Sequence, residues 1–142
     1  MATIAEMAAG VVTQLNRGTF SQPFTAVRDY RPSYTLEELQ TLRVTVMPKA
    51  VAIAGFSRKA NSYDHKIEIA VQKKLAEETI EEIDALVALT QEVCDVFGGA
   101  RIDALPGAMI VELENDPVFA PEHIDQQRVF TSLITVTFRT VC

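Results

Sequence analysis

The sequence predicts an α+β protein. An antiparallel or mixed β-sheet is packed by an N-terminal helix and a long central helix, and a long β-hairpin loop stands out from it. Three observations predict this. Three segments begin with a Thr-x-x-Glu helix start, at Thr3, Thr35 and Thr79. Other stretches alternate apolar and polar residues with the two-residue period of a strand. The elements follow one another as helix, extended arm, short helix, long hairpin, long helix and hairpin, with no internal repeat or linker, so one domain over residues 1–142 is expected.

In each helix start, the Thr hydroxyl is placed to accept from the backbone N–H three residues on, and the Glu carboxylate to reach back to the Thr N–H. The first helix sets Ile4, Met7, Val11, Val12 and Leu15 on one side and ends near Gly18. The arm from Thr19 to Tyr34 holds four aromatics without clear periodicity, and Pro23 and Pro32 favour extended backbone. A short helix is expected from about Leu36 to Gln40. The central helix, Thr79 to Phe97, carries the stripe Ile80, Ile83, Leu86, Val87, Leu89, Val93, Cys94 and Phe97, and Gly98-Gly99 stops it. Its acidic start (Glu77, Glu78, Glu81, Glu82, Asp84) faces the positive end of the helix dipole, which explains the cluster without a metal.

Leu42, Val44 and Val46 alternate with Arg43 and Thr45. Pro48 interrupts, and Val51 and Ile53 resume. Ile67, Ile69 and Val71 make the next strand. The stretch Ala54 to His65 between them, rich in Gly, Ser, Asn and basic residues, reads as a loop too long for a tight hairpin. Met109, Val111 and Leu113 form a strand ended by the turn signal Asn115-Asp116-Pro117. The closing strand sets Phe130, Ile134, Val136 and Phe138 on one face. Its other face carries Thr131, Leu133, Thr135, Thr137 and Arg139, nearly without charge, as suits a strand half-buried against another surface.

Composition excludes several classes. Hydrophobic residues at 48% and charged residues at 23% exclude a disordered chain. No apolar run reaches the roughly 18 residues needed to cross a bilayer. The first basic residue is Arg17, and Glu6 interrupts the apolar stretch, so no secretory signal is expected. Cys94 and Cys142 form no disulfide framework, which makes a reduced cytoplasmic setting the default. The net charge of −6 argues against wrapping nucleic acid. It hides a split: residues 17–74 hold ten Lys/Arg against five Asp/Glu, while residues 75–142 hold three against thirteen. That is either chance segregation on a solvated surface or a basic and an acidic side that meet head to tail between copies.

Catalytic patterns are sparse. His65 and His123 read as solvated loop histidines, without zinc or iron spacing. No nucleophile motif or phosphate loop is present. Glu112 and Glu114 share a strand face with Asp116 just beyond, an array that suits a metal or an acid/base pair but more often marks the wet side of a half-buried strand. Residues 39–63 contain no acid, which removes the two-metal nuclease pattern. What remains is binding. Phe56, Arg58, Lys59 and Tyr63 combine basic and aromatic character in one loop.

The stretches "TLRVTVMPKAV", "YDHKIEIAVQKKL" and "ENDPVFAPEHIDQQRVFTSLITVTFRTV", set around one acidic amphipathic helix, resemble small structural proteins of long-tailed bacteriophages. They are most similar to the tail terminators, the tail-completion proteins that cap the tail tube. The resemblance covers nearly the whole chain and rests on element order rather than on one motif. It implies an α+β fold and a hexameric ring that ends tube polymerisation and joins the tail to the head. It implies partners in the tube protein and the head-completion and neck proteins, phage DNA passing through the lumen without sequence-specific contact, and no membrane. The location implied is the virion, with assembly in the host cytoplasm. It brings no catalytic residue, cofactor or metal. On this resemblance, Phe20, Phe24, Arg28 and Tyr30 in the arm and Phe56, Arg58, Lys59 and Tyr63 in the loop lie at subunit or tube contacts. Thr131, Thr135, Thr137 and Arg139 face another layer or subunit. Alternative readings are another neck component or a tube subunit, a small metal-dependent enzyme using Glu112, Glu114 and Asp116, and a monomeric binding module.

Overall fold

A computed structural model describes residues 3–31, 34–99 and 101–141, with the backbone alone for residues 126 and 127. Pro32 and Cys142, discussed above, lie outside the described residues. The chain runs α1 (Ile4–Arg17), β1 (Ala26–Arg28), a 3-10 turn (Glu38–Gln40), β2 (Arg43–Ser57), β3 (Ala60–Lys74), α2 (Ile80–Val96), β4 (Met109–Asn115), α3 (Pro121–Gln127) and β5 (Val129–Val141). Five strands form one sheet in the order β1-β2-β3-β5-β4. The β1–β2 pairing is parallel and the other three are antiparallel, so the sheet is mixed and the fold is α+β as expected.

The three Thr residues cap as their spacing requires. Thr3 accepts from the Glu6 N–H at 3.2 Å, Thr35 from Glu38 at 3.2 Å and Thr79 from Glu82 at 3.2 Å. The reciprocal bond, from the Thr N–H to the Glu carboxylate, forms only at Thr35 (3.3 Å). Glu82 turns instead to the loop before α2 and accepts from the N–H groups of Ala76, Glu77 and Glu78 at 2.9, 3.1 and 3.0 Å. Partial burial works against its charge, but these donors outweigh burial and hold its pKa below the ordinary value.

One face of the sheet carries the core. Val44, Val46, Ile67, Ile69, Val71, Phe130, Ile134, Val136 and Phe138 point toward Met7, Val11 and Leu15 of α1 and Leu86, Leu89 and Val93 of α2, all buried. Phe97, just past α2, meets Phe138 edge-on, with ring centroids 6.4 Å apart. Ile80 departs from the expected stripe and is 74% exposed, because it sits in the first turn, before the helix meets the sheet. Gly10 of α1 allows the segment between α2 and β4 to close on the helix, since a Cβ there would run into the Leu105 side chain.

Four expectations need correction. Pro48 does not interrupt the strand; β2 runs through it with a register shift between Pro48 and Ala50, at an edge where a missing N–H disrupts no ladder. The stretch from Ala54 to His65 is no loop. Strand pairing continues from Ala54–Ser62 out to Ser57–Ala60, and Arg58-Lys59 makes a tight turn. The arm contains a three-residue strand, β1, and the segment after Pro117 contains a helix, α3; neither has the length for a period to show. His65 is no solvated loop residue: it is a strand residue, 2% exposed.

Ile69 lies opposite Val46 and Ile134 at the centre of the core. Ile69→Ala is therefore expected to lower the unfolding free energy by about 2–5 kcal/mol, while Ile80→Ala stays within about 0.5 kcal/mol. Urea denaturation of both variants checks the assignment of the buried face.

Candidate interaction surface

The most distinctive surface is built by the β2–β3 hairpin. Ala50 to Phe56 contains no charged residue, and Lys49, Arg58 and Lys59 bracket it. Alanine and glycine favour strands weakly, so pairing with Ala60–Lys66 is what holds this stretch extended. Val51, Ile53 and Phe56 are 41%, 63% and 67% exposed, beyond the cover of the helices. β1 accompanies β2 only at Val44–Val46, and the Asp29 N–H adds a bond to the Val46 carbonyl at 3.0 Å. From Pro48 onward the outer edge of β2 has no strand beside it among the described residues. At the far side of the sheet β4 is the other edge, with Met109 and Val111 exposed.

The hairpin is anchored at its base. Arg139 donates from Nε and Nη2 to the two carboxylate oxygens of Asp64 at 2.8 and 3.0 Å. That two-bonded guanidinium holds the Asp64 carboxyl below the usual range. On the opposite face His65 stacks with Tyr63, and its Nε2 lies 3.3 Å from Thr140 Oγ1. His65 Nδ1 is buried with no partner in the protein. Burial pushes the His65 pKa down, against the opposing pull of Asp64, so the imidazole is neutral at pH 7. A cleft of about 230 Å³ lies nearby, lined by Ala50, Ala52, Asp64, Lys66, Glu112 and Thr137.

The threonine face of β5 divides in two. Thr131 is buried, with His123 Nδ1 of α3 at 2.8 Å from its Oγ1. In the same half of the sheet, Thr45 donates to Tyr34 Oη at 3.2 Å, and the Arg43 guanidinium lies over the Tyr34 ring at 5.3 Å. The chain's own segments thus cover this half. In the other half, Thr135 stands between Glu68 and Glu114, and Thr137 between Lys66 and Glu112, in register across three strands. Thr137 Oγ1 is buried there without a partner in the protein.

The structure therefore brings Phe56, Arg58, Lys59, Tyr63, Thr137 and Arg139 to one end of the sheet and leaves Thr131 at the other. The Phe20 and Phe24 rings meet at a tilt, centroids 4.8 Å apart, and pack against the core. Their arm is pinned by Asn16, whose side-chain amide bonds both the N–H and the carbonyl of Ala26. Arg28 and Tyr30 are exposed and lie together, with the guanidinium 5.6 Å from the ring centre. The residues that sequence reasoning did not single out are Val51 and Ile53, read only as the resumption of a strand after Pro48. The run of uncharged residues from Ala50 to Phe56 was the available signal.

Glu112 and Glu114 do share a face. Among the described residues, no group of three or more His, Cys, Asp or Glu is arranged to hold a metal ion. No described helix is long and apolar enough to cross a membrane. Comparison with known proteins finds no family model that matches the chain and no curated protein that matches its sequence.

The depressed pKa of His65 fixes a sign. The unfolded chain takes up a proton near pH 6.5 and the folded chain only at lower pH, so stability is full above 6.5 and falls as pH drops toward the folded value. The melting temperature of the wild type is expected to decline over that window, and His65→Gln to lose that component. A thermal melt series between pH 7.5 and 5 checks it.

Proposed function

We propose that this chain is a non-enzymatic structural subunit of the tail terminator kind. Its copies close into a ring that caps a phage tail tube, ends tube polymerisation and provides the junction to the head. The observation that carries the reading is the β2–β3 hairpin: a strand of uncharged residues, standing clear of the helices, with cations at both ends. Such a surface is a liability on an isolated chain and an asset on a subunit, because exposed apolar strands associate with one another. The α+β fold agrees with what the resemblance in sequence implies. The partners on this reading are further copies of the chain, the tube protein and the head-completion and neck proteins, with DNA passing through the lumen without sequence-specific contact. The site of action is the virion, after assembly in the host cytoplasm.

Light-scattering mass across a concentration series, with electron microscopy of the same fractions, tests the reading. The expected result is closed rings of uniform diameter, with a mass near six times the 15.7 kDa chain. Long tubes would reassign the chain to a tube subunit. A monomer at every concentration that also fails to bind and cap isolated tail tubes would overturn the proposal.

A further inference from the structure

Among the described residues the sheet ends in two unpaired backbone edges of different character, and we propose that they are made for each other. Residues 49–57 on the free edge of β2 in one copy add antiparallel to β4 of the next copy, so that the sheet continues across the subunit boundary. This rests on the ring reading above and identifies the contact that closes the ring.

Geometry comes first. β1 guards β2 only as far as Val46, so the unpaired stretch beyond Pro48 is long enough to receive the seven residues of β4. Each step from β2 to β3, β5 and β4 is antiparallel, so β2 and β4 run in opposite senses within one subunit. Copies related by rotation about an axis along the strands keep those senses, and β4 then meets the next β2 antiparallel, the favourable arrangement for ladder bonds. The two edges are different surfaces, so the contact is head-to-tail and generates rings where the rotation closes.

Charge selects the same pairing. The β2 edge carries Lys49, Arg58 and Lys59, and Lys66 lies opposite Ala50 one strand inward. Met109 to Asp116 carries Glu112, Glu114 and Asp116 and no cation. Only alanine side chains, Ala50 and Ala52, would separate an incoming Glu112 from Lys66. A pairing of β4 with β4 would set glutamates against glutamates, and β2 with β2 would gather cations, so both symmetric alternatives are repelled. The split between a basic first half and an acidic second half thereby acquires a local cause. On the other face, exposed Val51 and Ile53 give the β2 edge an apolar side.

Two measurements test the pairing, both on the full chain. In a Cys142→Ser background, Ala52→Cys protein is mixed with Met109→Cys protein under mild oxidation, since both positions lie on the Asp64 face of the sheet. A disulfide-linked heterodimer is expected to exceed either self-linked dimer. Separately, the double change Glu112→Lys, Glu114→Lys is expected to raise the assembly midpoint concentration about tenfold or more, and combining it with Lys49→Glu and Lys66→Glu to restore most of the loss. Circular dichroism and melting curves confirm that each variant is folded. Rings that form with an unmoved midpoint and no preferred heterodimer would overturn the strand pairing while leaving the ring reading intact. Wild-type protein that neither forms rings nor caps tail tubes would overturn both.

Discussion

The pairing of β3 with β5 is the constraint on which the rest of the molecule depends. It runs without a register shift from Ser62–Val141 to Lys74–Val129, and it joins segments separated by α2, β4 and α3. One face of that pair supplies Ile67, Ile69, Val71, Ile134, Val136 and Phe138, the floor on which both long helices rest. Because side chains alternate across a strand, a slip of one residue would turn this floor outward and expose it. Register and core are therefore one specification. Since the partners are distant in sequence, the entropy of closing the intervening chain must be met by that burial, and the pairing forms with the core rather than before it.

The same pair fixes what the protein shows to its surroundings. Its Lys74 end lies in the half of the sheet whose second face is covered by the chain's own Tyr34 and α3. At its Ser62 end β3 continues with β2 into a hairpin that the helices do not cover. Asp64 and Arg139 tie that base across β3 and β5, and His65, paired with Phe138 in the next rung, fills the opposite face. An exposed ion pair contributes little to global stability. Its value here is positional, since it holds the hairpin in line with the sheet. Much of the chain's cost in exposed apolar surface is concentrated at this end, which is the physical reason for reading it as an interface.

Most of the fold was legible because it is made of long elements with strong periods. The Thr-x-x-Glu starts located α1 and α2 to within a residue or two, and the alternation of Ile67 to Val71 and of Phe130 to Phe138 located the central strands. What was not legible depends on contacts between distant residues. β1 is a strand only because Ala26 to Arg28 lie beside Val44 to Val46. Ala54 to His65 looks like a loop by composition, and it is extended because two weak strand formers pair with each other. Glu82 fits a reciprocal cap by spacing, but three N–H groups of the preceding loop compete for it and win. At the surface, the basic and aromatic residues of the hairpin were visible in the sequence. The exposure of Val51 and Ile53 was not, because an apolar residue in a strand reads as core until the helices are seen to stop short of it.

On the proposed pairing, the outer edge of β2 is an unfinished part of the sheet, completed by a second copy. Amide hydrogen exchange at low and high protein concentration tests it most directly, residue by residue and without altering the chain. The outward-facing amides of residues 49–57 and of β4 are expected to exchange rapidly in dilute protein and to become protected together as concentration rises. Amides of Ile67 to Val71 should be protected at every concentration. Assembly that leaves both edges exchanging freely, and protects some other surface, would contradict it.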